Sequence, residues 1–305
     1  MMDVYEYFGL SRDVGSIYKY APVFQHVIDG KKVIIKKTKE QIDRLAPLIN
    51  WQKKLSENGI NTIHPLRFND KLIHSIDDEN WVVYPFIEGD RYQSTQEQIY
   101  TAGELLGRVH STSDSVFKHG FSWEDYDEEF YDEILDDIEK ISLRYPREFN
   151  SEAGKKLFDN VKSLASNKFD CLKTRELPTS DCTWDFKASN LIYQPKTLYL
   201  IDTDNAGKVP RIFDLALALL LFHTTEDTAP NRIFTVDEWK LFLSGYKKHV
   251  ELTDIEKRYW QNMLLFVYTD EVSWAINDIE DDESNRQKTF VKSLVTFNFS
   301  QYLIE

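Results

Sequence analysis

The most constraining stretch of the chain is Asp185-Phe186-Lys187-Ala188-Ser189-Asn190, followed shortly by Ile201-Asp202-Thr203-Asp204. Leu191-Ile192-Tyr193 and Leu198-Tyr199-Leu200-Ile201 are short apolar and aromatic runs, and Gln194-Pro195-Lys196 parts them. The spacing predicts a tight loop, a short strand, a turn and a second strand. The loop holds an acid, a lysine two residues on and an amide five residues on, and the second strand ends in another acid.

This layout is the one that phosphoryl transfer needs. One carboxylate takes or orients an attacking hydroxyl, while an amide and a second carboxylate hold Mg²⁺ on phosphates. Asp185 is the candidate base, and Lys187 stands where it can neutralise charge on the transferred phosphate. Asn190 and Asp202 offer oxygens to hard Mg²⁺. Asp204, two residues on along the same strand face, reads either as a contact to a second metal or as a surface residue.

Asp185-x-Lys187-x-x-Asn190 resembles the catalytic loop of eukaryotic-type kinases, and Asp202 resembles their metal-binding aspartate. The run from Trp184 to Asp214-Leu215-Ala216 is more similar to the aminoglycoside phosphotransferase and choline kinase branch. The resemblance implies an α+β, bilobal, protein-kinase-like fold. A small antiparallel-sheet lobe would span residues 1–89, with a hinge near 85–89, and a larger, mainly helical lobe would span 90–305. It further implies ATP or GTP with Mg²⁺, and an acceptor hydroxyl on a small, amine-bearing molecule such as an aminoglycoside-like antibiotic or an amino alcohol. Asp214 would brace the loop backbone from a helix start. Two family features are replaced: His-Gly before the acid reads Thr183-Trp184, and Ala21-Pro22-Val23 between the first strands carries no glycine. A degenerate member of the fold that does not turn over nucleotide is the alternative reading. A helical interaction protein with an acidic face is the third.

Composition agrees with a folded enzyme of this size. The chain has 305 residues, 42% of them hydrophobic, and can bury a large core. A net charge of −14 argues against nucleic acid or an anionic membrane as partner and is compatible with a cationic acceptor. Cys171 and Cys182 make neither a disulfide framework nor a zinc site, which suits a reduced, cytoplasmic protein, monomeric or a homodimer. Met1 to Glu6 lacks the basic and apolar regions of an export signal, and the longest apolar run, Leu215 to Phe222, is too short to span a bilayer.

Along the chain, Ser16 to Tyr20, Phe24 to Ile28 and Lys32 to Lys37 predict strands, with a hairpin turn at Asp29-Gly30. Val33-Ile34-Ile35-Lys36 matches the strand whose lysine pairs with nucleotide phosphates in the family; alternation separates Lys36 from Lys37, and Lys36 is chosen. The next helix is expected to begin near Pro47. Leu48 occupies the place of the family's lysine-pairing glutamate, leaving Glu40 or Asp43 as substitutes. Leu72 to Ile76 and Trp81 to Phe86 predict two further strands. The second leads to Pro85 and Ile87, whose carbonyl and N–H would bond adenine. Beyond Gly89 the pattern is helical. Capping boxes are expected at Ser94/Glu97, Thr235/Glu238 and Thr253/Glu256. His110 reads as structural. The acidic face of the helix near Asp125–Asp137 reads as solvated, or as a rim for a cation. The long helix opened by Thr253 carries Asp270, Glu271 and Trp274, which by analogy would line a pocket for a cationic ring.

Overall fold

A computed structural model describes residues 3–18, 21–38, 42–112, 116–117, 121–144, 146–167, 169–173, 176–272 and 285–305. The chain divides into two compact units. The first comprises Met1–Asp90 and Ile192–Asp204, the second Arg91–Leu191 and Asn205–Glu305. The sequence reading draws a single boundary at residue 89. The structure adds the segment 192–204 to the first unit, because its strand pairs there.

The first unit opens with helix α1 (Val4–Phe8), capped by Asp3 and stopped by Gly9 in the left-handed conformation. Strands β1 (Val23–Ile28), β2 (Lys31–Thr38), β4 (Ile73–Ile76) and β5 (Glu79–Pro85) form an antiparallel sheet in the order β1-β2-β5-β4. Its turns share one device. Asp29-Gly30 and Asp77-Asp78 have φ of 50°, 74°, 49° and 62°, and Asn69-Asp70, which closes a bridge between Phe68 and Lys71, has 46° and 61°. Two consecutive left-handed residues match the twist of the strands, and Asp, Asn and Gly tolerate that conformation best. One face of the sheet packs Phe24, Val33, Ile35, Ile76, Trp81 and Val83 against Phe8 and Leu10. Alternation leaves Ile34 and Lys36 on the other face. Helix α2 (Ile42–Glu57) buries Leu45, Leu48, Trp51 and Leu55. A second sheet, β3 (Asn61–Thr62)-β8 (Thr197–Leu200)-β7 (Leu191–Gln194), holds the hairpin expected after the Asp185 loop. Its parallel β3–β8 pairing was not expected.

The second unit is largely helical: α3 (Gln96–His110), α4 (Glu128–Arg144), α5 (Pro146–Phe149), α6 (Glu152–Ser166), α7 (Asp170–Lys173), α8 (Arg211–Leu221), α9 (Val236–Tyr246), α10 (Asp254–Val267) and α11 (Asn285–Val295). A short antiparallel pair, β6 (Thr179–Cys182) and β9 (Gly207–Pro210), joins them. Helix α8 is buried almost all round, as its apolar sequence requires. Helices α3 and α9 approach backbone to backbone. A Cβ on Gly103 would overlap the Phe242 carbonyl, one on Gly107 the Tyr246 carbonyl, and one on Gly245 the Tyr100 carbonyl. Among the described residues no helix is long and apolar enough to cross a membrane.

Four local expectations shift. Ser16 to Tyr18 is not a strand: the Ser16 hydroxyl donates to Tyr18 O and Ala21 O and accepts from Val23 N, replacing ladder bonds with a local loop. Residues 19 and 20 lie outside the described residues. Pro47 sits inside α2 rather than in its first turn; the buried stripe outweighs a proline cost of about 3 kcal/mol. The first capping box is Thr95/Gln98, not Ser94/Glu97, because Ser94 is left-handed at φ 57° while Thr95 has the extended φ of a cap. The boxes at Thr235 and Thr253 form as expected. The helix after Thr253 turns into a π-helix at Tyr268–Val272, and Trp274 lies outside the described residues.

Gly103→Ala is expected to destabilise the protein by about 1–3 kcal/mol, since overpacking against a carbonyl exceeds the gain in helix propensity. A denaturant midpoint equal to or above that of the unaltered protein would refute the close approach.

Candidate active site

The residues singled out by sequence fall into two groups, one in each unit. In the first unit Lys36 projects from β2, and its ammonium pairs with Asp202 and, at 3.0 Å, with Asp204. Burial opposes the lysine's charge, but the two carboxylates more than restore it, and its pKa is raised. Burial, followed by repulsion from Asp202, raises the pKa of Asp204 even against the pull of Lys36. Asp202 itself is left-handed at φ 54°, a conformation uncommon outside glycine that turns the chain sharply after β8. Thr203, between the acids, is buried and accepts a hydrogen bond from Gln52 Nε2 of α2 at 2.9 Å.

No described residue of α2 supplies a carboxylate to Lys36. Glu40 lies outside the described residues, as does the side chain of Asp43. Asp204, left open between metal contact and surface, is a lysine partner. Gln52 went unnoticed. Its signal was a polar residue in an apolar helical stripe, next to Trp51 and between Leu48 and Leu55. Pro85 ends β5 and Ile87 follows it in extended chain. The Ile87 N–H makes no hydrogen bond among the described residues, which leaves it available as a donor. Beyond it, Gly89 packs so closely on Ile192 and the Tyr193 carbonyl that a Cβ would collide with both.

In the second unit Asp185, Lys187 and Asn190 converge. Lys187 Nζ lies 2.8 Å from Asp185 Oδ2. Asn190 Nδ2 donates to the Asp185 carbonyl at 2.9 Å and to Oδ2 at 3.3 Å. A 3₁₀ turn over Ala188–Asn190 produces this spacing, and Ala188 N anchors it to the Phe222 carbonyl at 2.9 Å. Phe186 points the opposite way, buried against Phe222 and Phe242. Before the acid, Trp184 is left-handed at φ 53° where a glycine would be at ease. Its indole meets the Phe213 ring edge-on at 5.9 Å.

Beneath the loop, fully buried Asp214 accepts from Thr183 Oγ1 at 3.3 Å and from His110 Nε2 at 3.0 Å. A carboxylate only accepts, so His110 donates through Nε2, and its Nδ1 hydrogen-bonds the Tyr246 hydroxyl at 2.9 Å. Cys182 lies close enough to complete a buried His–Cys–Asp group, but both imidazole nitrogens are already engaged. Burial, with the nearby charge of Asp214, raises its thiol pKa.

The π-helix adds an acidic pair. Tyr126 donates to Asp270 Oδ2 at 3.4 Å. Burial raises Asp270 to about 6, against the lowering effect of the tyrosine. Burial, then the charges of Asp270 and Asp185, raises Glu271 to about 8, with Lys187 opposing. Extra residues of this kind in a helix recur at functional sites.

The fold and the family are recognisable in known proteins. Against curated proteins the sequence finds no match. Among solved structures, the amicoumacin kinase hAmiN in complex with AMP-PNP, Ca²⁺ and Ami is 18% identical, with a TM-score of 0.64 over 94% of this chain and 91% of that one. The spectinomycin phosphotransferase APH(9)-Ia is 18% identical, with 0.61 over 94% and 92%. A microcompartment-associated aminopropanol kinase is 13% identical, with 0.63 over 93% and 90%. These likenesses give the chain the protein-kinase-like α+β fold expected from its sequence. The profile of the phosphotransferase enzyme family (APH) matches residues 21–246, well over half of the 305, and the chain belongs to that family.

Proposed function

We propose that the protein transfers the γ-phosphoryl group of ATP, or GTP, to a hydroxyl of a small, amine-bearing molecule. The observation that carries this reading is the Asp185 carboxylate held by Lys187 and Asn190 on one short loop. Asp185 accepts the proton of the acceptor hydroxyl as that oxygen bonds to the γ-phosphorus. The bond from phosphorus to the β–γ bridging oxygen breaks, and the nucleoside diphosphate leaves with the electron pair. Lys187, paired with Asp185 before substrate arrives, offsets charge on the transferred group. Lys36 serves the nucleotide phosphates, and the Pro85 carbonyl and Ile87 N–H serve the base.

The donor set fits Mg²⁺. The carboxylates of Asp202 and Asp204 already hold a cation, the Lys36 ammonium. Asn190 directs its nitrogen to Asp185, which leaves its amide oxygen for a metal. Asp202 and Asn190 are proposed as the Mg²⁺ ligands, and the ion would supply charge neutralisation on the triphosphate. The amine preference rests on Asp270 and Glu271, the second of which feels the charges of Asp185 and Lys187. The name of one structural neighbour, an aminopropanol kinase, points to an acceptor with both groups. Cys171 and Cys182 form no disulfide among the described residues, which fits a reducing cytoplasm.

Saturation with Mg·ATP at 100 times its dissociation constant is expected to add about 2.7 kcal/mol of stability; a thermal melt unmoved by millimolar nucleotide would favour a degenerate, non-catalytic member of the fold. Asp185→Asn should lower acceptor-dependent kcat by about 100- to 10,000-fold while the melt stays unchanged. Turnover at the original rate would remove the proposed base. Acidity supplies a third test. With folded pKa values above their unfolded ones, Asp270 and Glu271 gain charge only as pH rises, so their cost to stability begins near pH 3.8 for Asp270 and 4.5 for Glu271 and is complete above about pH 8. Affinity for a cationic acceptor should strengthen over the same rise, with KM falling between about pH 6 and 8. Glu271→Gln should flatten that profile; a KM independent of pH in the unaltered enzyme would exclude the acids from amine recognition.

A further inference from the structure

Gln52 is one of several buried polar groups of the first unit with an atom left without a hydrogen-bond partner among the described residues. It lies on the buried stripe of α2 at 1% exposure. Its Nε2 donates to Thr203 Oγ1, yet its Oε1 has no hydrogen-bond partner among the described residues. A buried amide carbonyl left unanswered is costly and calls for a reason. Thr203 stands between the two acids that hold Lys36. The Tyr84 side chain, opposite Ile34 across the β2–β5 pairing, feels the charges of Lys36, Asp202 and Asp204 and adjoins Gln52, so all these groups share one neighbourhood.

An amide cannot balance an ammonium, whereas a carboxylate on α2 would. Lys36 therefore draws its counter-charge from Asp202 and Asp204. Resting on the phosphotransferase reading, these are the acids that face a divalent cation during turnover. We propose that Gln52 is a positioning residue that acts through Thr203 and Lys36, making the lysine the resident counter-ion of the divalent-cation site. The Nε2 bond holds the Asp202–Asp204 segment in register. The neutrality of the amide leaves the ammonium on the acids while the site awaits its cation. A divalent cation must displace it, and the unanswered Oε1 is the acceptor that receives the released ammonium as it turns to phosphate. Cation and nucleotide then bind cooperatively, because each removes what the other must displace.

Binding of Mn²⁺ alone, followed by loss of its free-ion paramagnetic resonance signal, reads this competition without turnover. Four proteins are compared at one pH and salt: unaltered, Lys36→Met, Gln52→Glu and the double variant. Lys36→Met should bind Mn²⁺ at least about tenfold tighter, because no ammonium competes. Gln52→Glu should also bind about tenfold tighter, because the new carboxylate draws the lysine off the acids. In the Lys36→Met background the Gln52→Glu change should add little, since its effect runs through the lysine. An equal gain in both backgrounds would mark a mere added charge and overturn the proposal. So would single variants that bind no tighter than the unaltered protein. Should Gln52→Glu fail to fold, Lys36→Met decides alone: unchanged Mn²⁺ affinity overturns the counter-ion role. AMP-PNP binding to the unaltered protein is measured beside these. Its absence with the Mn²⁺ pattern intact would remove the phosphotransferase reading and leave the lysine–cation competition standing.

Discussion

A carboxylate with no exposure must have its lone pairs answered, and Asp214 is the one on which the second unit depends. His110 answers from α3, Thr183 from the end of the strand leading to the Asp185 loop, and Tyr246 of α9 fixes the imidazole from behind. The Ser180 hydroxyl adds a bond to the His110 carbonyl at 2.8 Å. Three separate stretches, α3, β6 with Thr183, and α9, are thereby held to one buried charge on α8. Breaking such a group by removing one partner typically costs about 3–5 kcal/mol, because the remaining charge stays buried. The same network explains how Trp184 can hold a left-handed backbone, a strain of about 1–3 kcal/mol. Residues on either side of it are already committed: Thr183 to Asp214, and Asp185 to Lys187 and Asn190. The family's histidine is absent at 183, and the loop is braced from beneath instead.

The first unit solves a different electrostatic problem. Lys36 is surrounded by groups that desolvate it, and two carboxylates from one short segment keep it charged. Such an arrangement is stable at rest and sensitive to any other cation. Reactive groups are arranged similarly in both units. In each, a lysine is paired with an aspartate, Lys36 with Asp202 and Lys187 with Asp185.

Much of this was legible in the sequence, for a physical reason. The Asp185 loop, its following hairpin, the strand of Lys36 and the helix of Asp214 are marked by local spacing: period-two runs, a proline turn, and donors at fixed offsets. Windows of that length also show the Asp29-Gly30 turn and two of the three capping boxes. What they cannot show is which distant stretches meet. Gln52 and Thr203 are 151 positions apart, and β3 finds β8 across a similar separation. The glycines of α3 and α9 look like flaws in their own helices and become intelligible only when the two backbones touch. The π-helix at Tyr268–Val272, which carries Asp270 and Glu271, is marked by no repeat in the sequence.

The strand order of the first unit has a consequence for synthesis. Its second sheet joins Asn61–Thr62 to Tyr199–Leu200, so the first ninety residues leave the ribosome without the edge that completes them. At about 5–20 residues per second the missing segment arrives many seconds later. During that interval β3 has no neighbour and Lys36 has no counter-charge from the 202–204 segment. Nascent chains at this stage expose an unpaired β3 and a Lys36 without the two carboxylates that later hold it. A truncation before Thr197 leaves the first ninety residues in that state permanently.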